Sequence, residues 1–304
     1  MKIIVTGSLG NVSKPLAEAL VQKGHAVTVI SSKKEKQKDI EAIGATAAIG
    51  KLEDADFLLA TFTGADAVYT MVPPANYFDH KFDLLAHYLK IGGNYKEAIK
   101  QTGIKRVVNL SSFGAHLKEH AGILVGSRSV EKLLNELPAD TVITHIRPTS
   151  FYTNMYGYVE MIKNAGIIAA NYGADKIIPW VSPEDIAAAI TEEFSTSHIG
   201  RKVRYVASEE LTGYETAKVL GDAIGKPDLK WILIEDEQLQ TRLKAAGMNP
   251  KVADGMVEMF ASFYKGLVAE DYYRNKPSVM GKVKLVDFAK QFAESFKQSL
   301  IQNV

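Results

Sequence analysis

The sequence predicts an α/β fold: a doubly wound parallel sheet with a smaller, helix-rich C-terminal lobe. Three observations predict it. Short apolar runs alternate with helical spacing through the first half, a glycine-containing turn joins the first strand to the first helix, and after Pro148 the rhythm changes to capped helices. Strands alternating with helices imply right-handed crossovers that cover both faces of a parallel sheet.

In order, the run KIIVT at 2–6 opens as a strand, and helical spacing over 12–23 places Leu16, Ala19 and Leu20 on one face. Further strands are expected at 25–30, more weakly at 45–49, and at 67–71 after a helix near 54–62. A long amphipathic stretch, 78–102, leads to a fifth strand at 106–110; a helix over 124–137 and a sixth strand over 141–146 follow. Ser182-Pro-Glu-Asp185 and Thr212-Gly-Tyr-Glu215 are helix starts, each with a hydroxyl cap and an acidic third residue. The expected boundaries are a dinucleotide-binding domain over 1–150, with a return to the sheet around 177–208, and a substrate lobe over 151–176 and 209–304. Helices over 252–265 and 285–300 carry Met and Phe stripes whose helical spacing favours ordinary core over a ligand wall.

Composition excludes several chemistries. With 36 Lys and Arg against 35 Asp and Glu, the net charge of +1 offers no field for nucleic acid or an anionic membrane. The absence of cysteine removes disulfides, thiolate metal sites and a cysteine nucleophile. No apolar run approaches the roughly 20 residues that span a bilayer. A strand pattern from Lys2 leaves no room for a secretory leader, so the expected location is the cytoplasm.

The turn Thr6-Gly7-Ser8-Leu9-Gly10-Asn11-Val12-Ser13 lies where a pyrophosphate would meet a helix N-terminus, as in the Rossmann arrangement. Gly7 suits the tight turn, Gly10 the close approach to phosphate, and Ser13 stands where a small residue permits helix–strand packing. The second strand ends in Ser31-Ser32-Lys33-Lys34 without the carboxylate that holds a ribose diol. Hydroxyls and ammonium groups there favour NADP(H) over NAD(H), although KKEKQKD also reads as a solvated helix face.

The segments TGSLGNVSKPLAEAL, MVPP, VVNLSSFGA, HIRPTSFYTNM and VSPEDIAAAI, in this order, resemble NmrA-like proteins. These are atypical short-chain dehydrogenase/reductases that include quinone reductases, isoflavone-reductase relatives and redox-sensing regulators. The likeness runs to about Leu239. It implies that Gly7, Leu9, Gly10, Asn11 and Val12 wrap the pyrophosphate and that Ser31, Ser32 and Lys33 meet the adenosine ribose phosphate. It further implies that Met71, Val72, Pro73 and Pro74 pass beneath the cofactor, that Ser111 and Ser112 reach the nicotinamide ribose, and that Pro148, Ser150, Phe151 and Tyr152 wall the ring with Asn154 close by.

Two departures stand out. Where the family often has an Asp after the third-strand glycine, this chain has Gly50-Lys51. After the fifth strand there is no Tyr-x-x-x-Lys pair, and Ser127, beside Arg128, occupies a position where many relatives carry lysine or histidine. Such pairs occur elsewhere, at Tyr77/Lys81, Tyr172/Lys176, Tyr214/Lys218 and Tyr272/Lys276, but none follows that strand. The catalytic residue is therefore left open, with Tyr77, His116, Tyr152 and Asn154 as candidates. His116 and His120 would share a helical face, but a metal needs a third ligand and none is evident, so no metal is expected.

A missing tyrosine disfavours ketone chemistry more than reduction of an electron-poor acceptor. The expected function is NAD(P)H-dependent reduction of a small conjugated acceptor such as a quinone, the acceptor being the expected partner and Phe113 and Tyr156 joining the lining. The alternative is a non-catalytic redox sensor that binds NADP(H) and acts through a regulatory protein partner; homodimerisation is left open.

Overall fold

Apolar runs bounded by polar turns become strands, buried on both faces at the centre of the sheet and partly exposed at its edges. The computed structural model describes residues 1–301. Its first half runs β1 (Lys2–Val5), α1 (Ser13–Gln22), β2 (Ala26–Ser31), α2 (Gln37–Ala42), β3 (Thr46–Ile49), α3 (Ala55–Phe62), β4 (Ala67–Thr70), α4 (Leu84–Thr102), β5 (Arg106–Leu110), α5 (Val125–Asn135) and β6 (Val142–Pro148). The second half runs β7 (Ser150–Phe151), α6 (Val159–Ala165), β8 (Ile167–Ala170), β9 (Ile177–Val181), α7 (Pro183–Ser195), β10 (Arg201–Val206), β11 (Glu209–Thr212), α8 (Gly213–Ile224), β12 (Lys230–Leu233), α9 (Asp236–Ala245), α10 (Pro250–Tyr264), α11 (Glu270–Arg274) and α12 (Leu285–Ile301).

A seven-stranded sheet has the order β10-β6-β5-β4-β1-β2-β3, every pair parallel. The order reverses between β1 and β4, which opens a crevice at the carboxyl ends of the strands. Two apolar layers cover the sheet, one built with α1 and α7 and the other with α3, α4 and α5. A third core, rich in Tyr, Trp and Phe, fills the C-terminal region around α8, α10 and α12.

The segment expected to return to the sheet divides in two. β10 joins the sheet edge against β6, pairing Val206 with Pro148. β9 does not join it; it lies between β7 and antiparallel β11 in a separate three-stranded sheet, which corrects that part of the expectation. Residues 302–304 of the expected lobe lie outside the described residues. Asp185 of the Ser182 cap accepts from the Ser208 hydroxyl and from the backbone N–H of Lys282 and Val283, fastening the approach to α12 beside α7. Among the described residues, no helix is long and apolar enough to cross a membrane.

A chain of paired polar groups crosses three strands of the sheet. Thr70, Asn109 and His145 are register neighbours on β4, β5 and β6. The Thr70 hydroxyl donates to Asn109 Oδ1 at 3.1 Å, Asn109 Nδ2 donates to His145 Nδ1 at 3.1 Å, and His145 Nε2 donates to Asn135 Oδ1 at 3.1 Å. That chain requires a neutral imidazole, and burial lowers the His145 pKa to about 4.

Candidate functional site

The loop after β1 is held in a shape few residues could adopt. Gly7 has φ +89°, and a Cβ there would lie 2.6 Å from Ser13 Oγ and 2.9 Å from Met71 Sδ. Ser8 follows with φ +55°. Its N–H donates to the Ile30 carbonyl at 3.0 Å and its hydroxyl to Ser31 Oγ at 2.9 Å, tying the loop to the end of β2. Ser13 is buried and donates to the Thr6 carbonyl at 2.9 Å, so a serine does fit the tight third position. Helix α1 has no side-chain cap; its N-cap is Val12, whose side chain is in the core. Uncapped N–H groups and a loop that excludes a Cβ form a cradle that fits a dinucleotide pyrophosphate, with Leu9, Gly10 and Asn11 around it.

At the end of β2, the three residues expected to meet the adenosine ribose phosphate differ in what they offer. Ser31 is 2% exposed, its Oγ accepting from Ser8 and from the Lys33 N–H, so its side chain shapes the loop. Ser32, Lys33 and Lys34 are exposed. Ser31 pairs in register with Ile49, so Lys33 and exposed Lys51 each lie two residues beyond neighbouring strand ends. Gly50 is dictated by packing, since a Cβ would meet the Phe57 ring at 2.5 Å.

Two cavities lie at the carboxyl ends of β4, β5 and β6. The first, about 170 Å³, brings together Met71, Val72, Ser111, Ser112 and Phe151 with Tyr88 of α4 and Ser127 of α5. The second, about 130 Å³, is walled by Phe113, Pro148, Ser150, Phe151 and Asn154 together with Tyr172 and with Met259, Phe260 and Phe263 of α10. Ser112 and Phe151 line both cavities. The second is strongly aromatic: Tyr172 stacks on Phe260 with centroids 4.6 Å apart, and Phe263 meets the Phe113 ring edge-on at 5.7 Å. Thr149 also lines it, and its buried hydroxyl has no hydrogen-bond partner. The α10 stripe is thus both core and cavity wall, where spacing alone favoured core.

The catalytic candidates do not all converge here. Tyr152 is fully buried, stacks on Phe288, and donates its hydroxyl to Glu209 at 3.4 Å and to the Val283 carbonyl at 3.3 Å. Its adjacency to Phe151 does not bring it to either cavity, because the chain turns into a 3-10 segment, Tyr152–Tyr158, after the β7 strand. Tyr156 follows it away, packing on Phe288 and Phe292. Tyr77 packs beside Phe82 in a small cluster with Met248 and Val252, and Pro73 and Pro74 precede it in the loop after β4. His116 and His120 lie in a loop rather than on a helix: His120 faces Glu258 at 3.6 Å, and both ring nitrogens of His116 are buried without a partner. Burial lowers the His116 pKa. Asn154 alone of these candidates lines the aromatic cavity.

Beneath the cavities runs a buried ionic network. Ser111 donates to Glu131 at 2.5 Å, and Arg147 grips the same carboxylate with Nε at 2.9 Å and Nη2 at 2.7 Å. Arg147 Nη1 reaches Asp271 at 3.0 Å, and the Tyr205 hydroxyl donates to Asp271 at 2.6 Å. Burial alone would raise the Glu131 carboxyl; the hydrogen bonds and charge of Arg147, with the Ser111 hydrogen bond, outweigh it and hold the group below the ordinary range. The sequence signal for this network was a lone arginine closing an apolar strand, VITHIRP. Tyr88 and Thr149 carried no comparable signal.

The family model described as the NmrA-like family matches residues 1–287. The chain is 24% identical to the NAD(P)H azoreductase of Xenophilus azovorans over 301 residues, covering 97% of this chain and 99% of that one. Among solved structures it is similar to an NADPH-dependent quinone oxidoreductase from Escherichia coli complexed with NADPH, at a TM-score of 0.78, 19% identity, and coverage of 95% and 99%. The triphenylmethane reductase of Citrobacter sp. in complex with NADP(H) gives a TM-score of 0.73 at 17% identity, covering 96% and 99%. With the glycine loop, the seven-stranded order and a model match over nearly its whole length, this chain belongs to the NmrA-like family.

Proposed function

We propose that the chain is an NAD(P)H-dependent oxidoreductase that reduces a small, flat, conjugated acceptor such as a quinone, with NADP(H) as the preferred cofactor. The observation that carries this reading is the junction of the two cavities at Ser112 and Phe151, which would seat an acceptor ring beside the cofactor. The names of the similar proteins, reductases of azo, quinone and triphenylmethane compounds, support the same class. A bound reduced nicotinamide supplies a hydride; the protein positions the partners and excludes water.

Individual residues take roles within this reading. Gly7, Leu9, Gly10, Asn11 and Val12 offer the pyrophosphate cradle; Ser32, Lys33 and Lys51 offer hydroxyl and positive charge to a 2′-phosphate. Val72, Pro73, Pro74, Ser111, Ser112, Pro148 and Phe151 frame the nicotinamide end. No ionisable acid or base lines the aromatic cavity apart from the Tyr172 phenol, so an anionic substrate would lose its hydration there uncompensated. The Thr149 hydroxyl and the Asn154 amide are left to hydrogen-bond the acceptor.

Titrating NADPH and NADH by fluorescence and then adding a quinone, enal and dye panel tests this reading. Tighter binding of NADPH followed by its oxidation is the expected result. The lack of a tyrosine on α5 favours one second reading, a sensor that binds NADP(H) and signals to a protein partner. Tight binding of both redox forms with no oxidation across the panel would move the conclusion to it.

A further inference from the structure

The first cavity contains no charged side chain: its polar groups are the hydroxyls of Tyr88, Ser111, Ser112 and Ser127. Two of the four are engaged, Ser111 donating to Glu131 at 2.5 Å and Ser112 to the Phe113 carbonyl at 3.3 Å. Tyr88 arrives from α4, across the cavity from Ser127 on α5, and its hydroxyl has Ser127 as a polar neighbour. The approach depends on Gly126. A Cβ there would lie 2.6, 2.7 and 2.8 Å from three atoms of the Tyr88 ring, so the ring lies across the helix where any other residue would displace it.

We infer that Tyr88 and Ser127 form a neutral hydroxyl pair that binds the ribose diol on the nicotinamide side of the dinucleotide. A vicinal diol both donates and accepts, as a phenol and a serine hydroxyl do, whereas a phosphate or carboxylate in this cavity would find no cation. The size of the cavity, about 170 Å³, suits a sugar ring rather than a whole mononucleotide. Burial pushes the Tyr88 phenol up to about 12, so it remains a hydrogen-bond donor at any physiological pH. The pair supplies at α5 a contact without positive charge, so binding at this end should be insensitive to pH between 6 and 9.

This inference rests on the cofactor reading above, and the test separates the two. NADPH is titrated against the wild type, Tyr88→Phe, Ser127→Ala and Gly126→Ala, with adenosine 2′,5′-bisphosphate as a probe that lacks the nicotinamide ribose. The expected result is a five- to tenfold loss of NADPH affinity in each variant, about the worth of one neutral hydrogen bond, with affinity for the bisphosphate unchanged. Thermal melting checks that Tyr88→Phe, which keeps the ring packing, remains folded. NADPH affinity within twofold of wild type in Tyr88→Phe and Ser127→Ala overturns the inference while leaving the cofactor reading intact. An equal loss for the bisphosphate assigns the residues a structural role and also overturns it. Failure of the wild type to bind NADPH overturns both.

Discussion

Arg147 holds Glu131 through two hydrogen bonds, at 2.9 and 2.7 Å, with both side chains less than a tenth exposed. The pair joins β6 to α5 directly under Ser111 and, through Asp271, reaches the C-terminal lobe. Removing one partner strands a buried charge. Arg147→Met should therefore lower stability by about 3–5 kcal/mol, whereas the double variant Glu131→Met/Arg147→Met should recover most of it. Urea denaturation of the two variants checks this; equal losses in both would show that packing, not charge, is responsible.

Gly7→Ala combines a left-handed φ with a close approach to Ser13 and Met71. The expected outcome is a destabilisation of about 1–3 kcal/mol and more than a tenfold loss of dinucleotide affinity. Denaturation and fluorescence titration read the two effects separately. Unaltered nucleotide binding would remove the loop from the site.

At the strand ends, Lys33→Glu/Lys51→Glu should weaken NADPH by at least tenfold and change NADH by less than threefold, because only the former carries a phosphate at that end. The NADPH affinity of the wild type should fall with added salt more steeply than that of NADH. Equal losses for the two nucleotides would place the 2′-phosphate elsewhere.

Thr149→Val keeps the side-chain shape and removes a buried hydroxyl that has no partner. Stability should hold or rise slightly, while kcat/KM for a carbonyl-bearing acceptor should fall by five- to thirtyfold, equivalent to about 1–2 kcal/mol. Steady-state kinetics beside a melting curve decide it; unchanged kinetics would mean that the acceptor does not reach this hydroxyl.

His145 links pH to stability. Its folded pKa, about 4, lies below the ordinary 6.5, so the unfolded chain binds the extra proton between these values. Stability is complete above pH 6.5 and is lost as pH falls toward 4, by about 2 kcal/mol at pH 5 from this group. His25, His116 and His198 are lowered too and add in the same direction. A His145→Gln variant measured at pH 7.5 and 5 should show a pH dependence smaller by that amount.

The strands of the doubly wound sheet were legible because parallel strands are apolar on both faces, and the tight turn after β1 because Gly7 answers a backbone need. The path of β9 was not legible: an apolar run says strand, but not which sheet will receive it. Tyr152 shows the same limit, since the 3-10 backbone after β7 decides whether the residue after Phe151 faces the cavities or the aromatic core. Tyr88 and Ser127 come together only because α4 and α5 pack side by side, with Gly126 between them. Nothing in either local sequence announces that contact.

The aromatic cavity draws its floor from strand ends and much of its opposite wall from α10. Substitutions at Met259, Phe260 or Phe263 alter the chamber without touching the glycine loop or the Glu131–Arg147 pair. If this chamber seats the acceptor as proposed, drift along that single helix can exchange one acceptor for another while the rest is kept as an inherited constant.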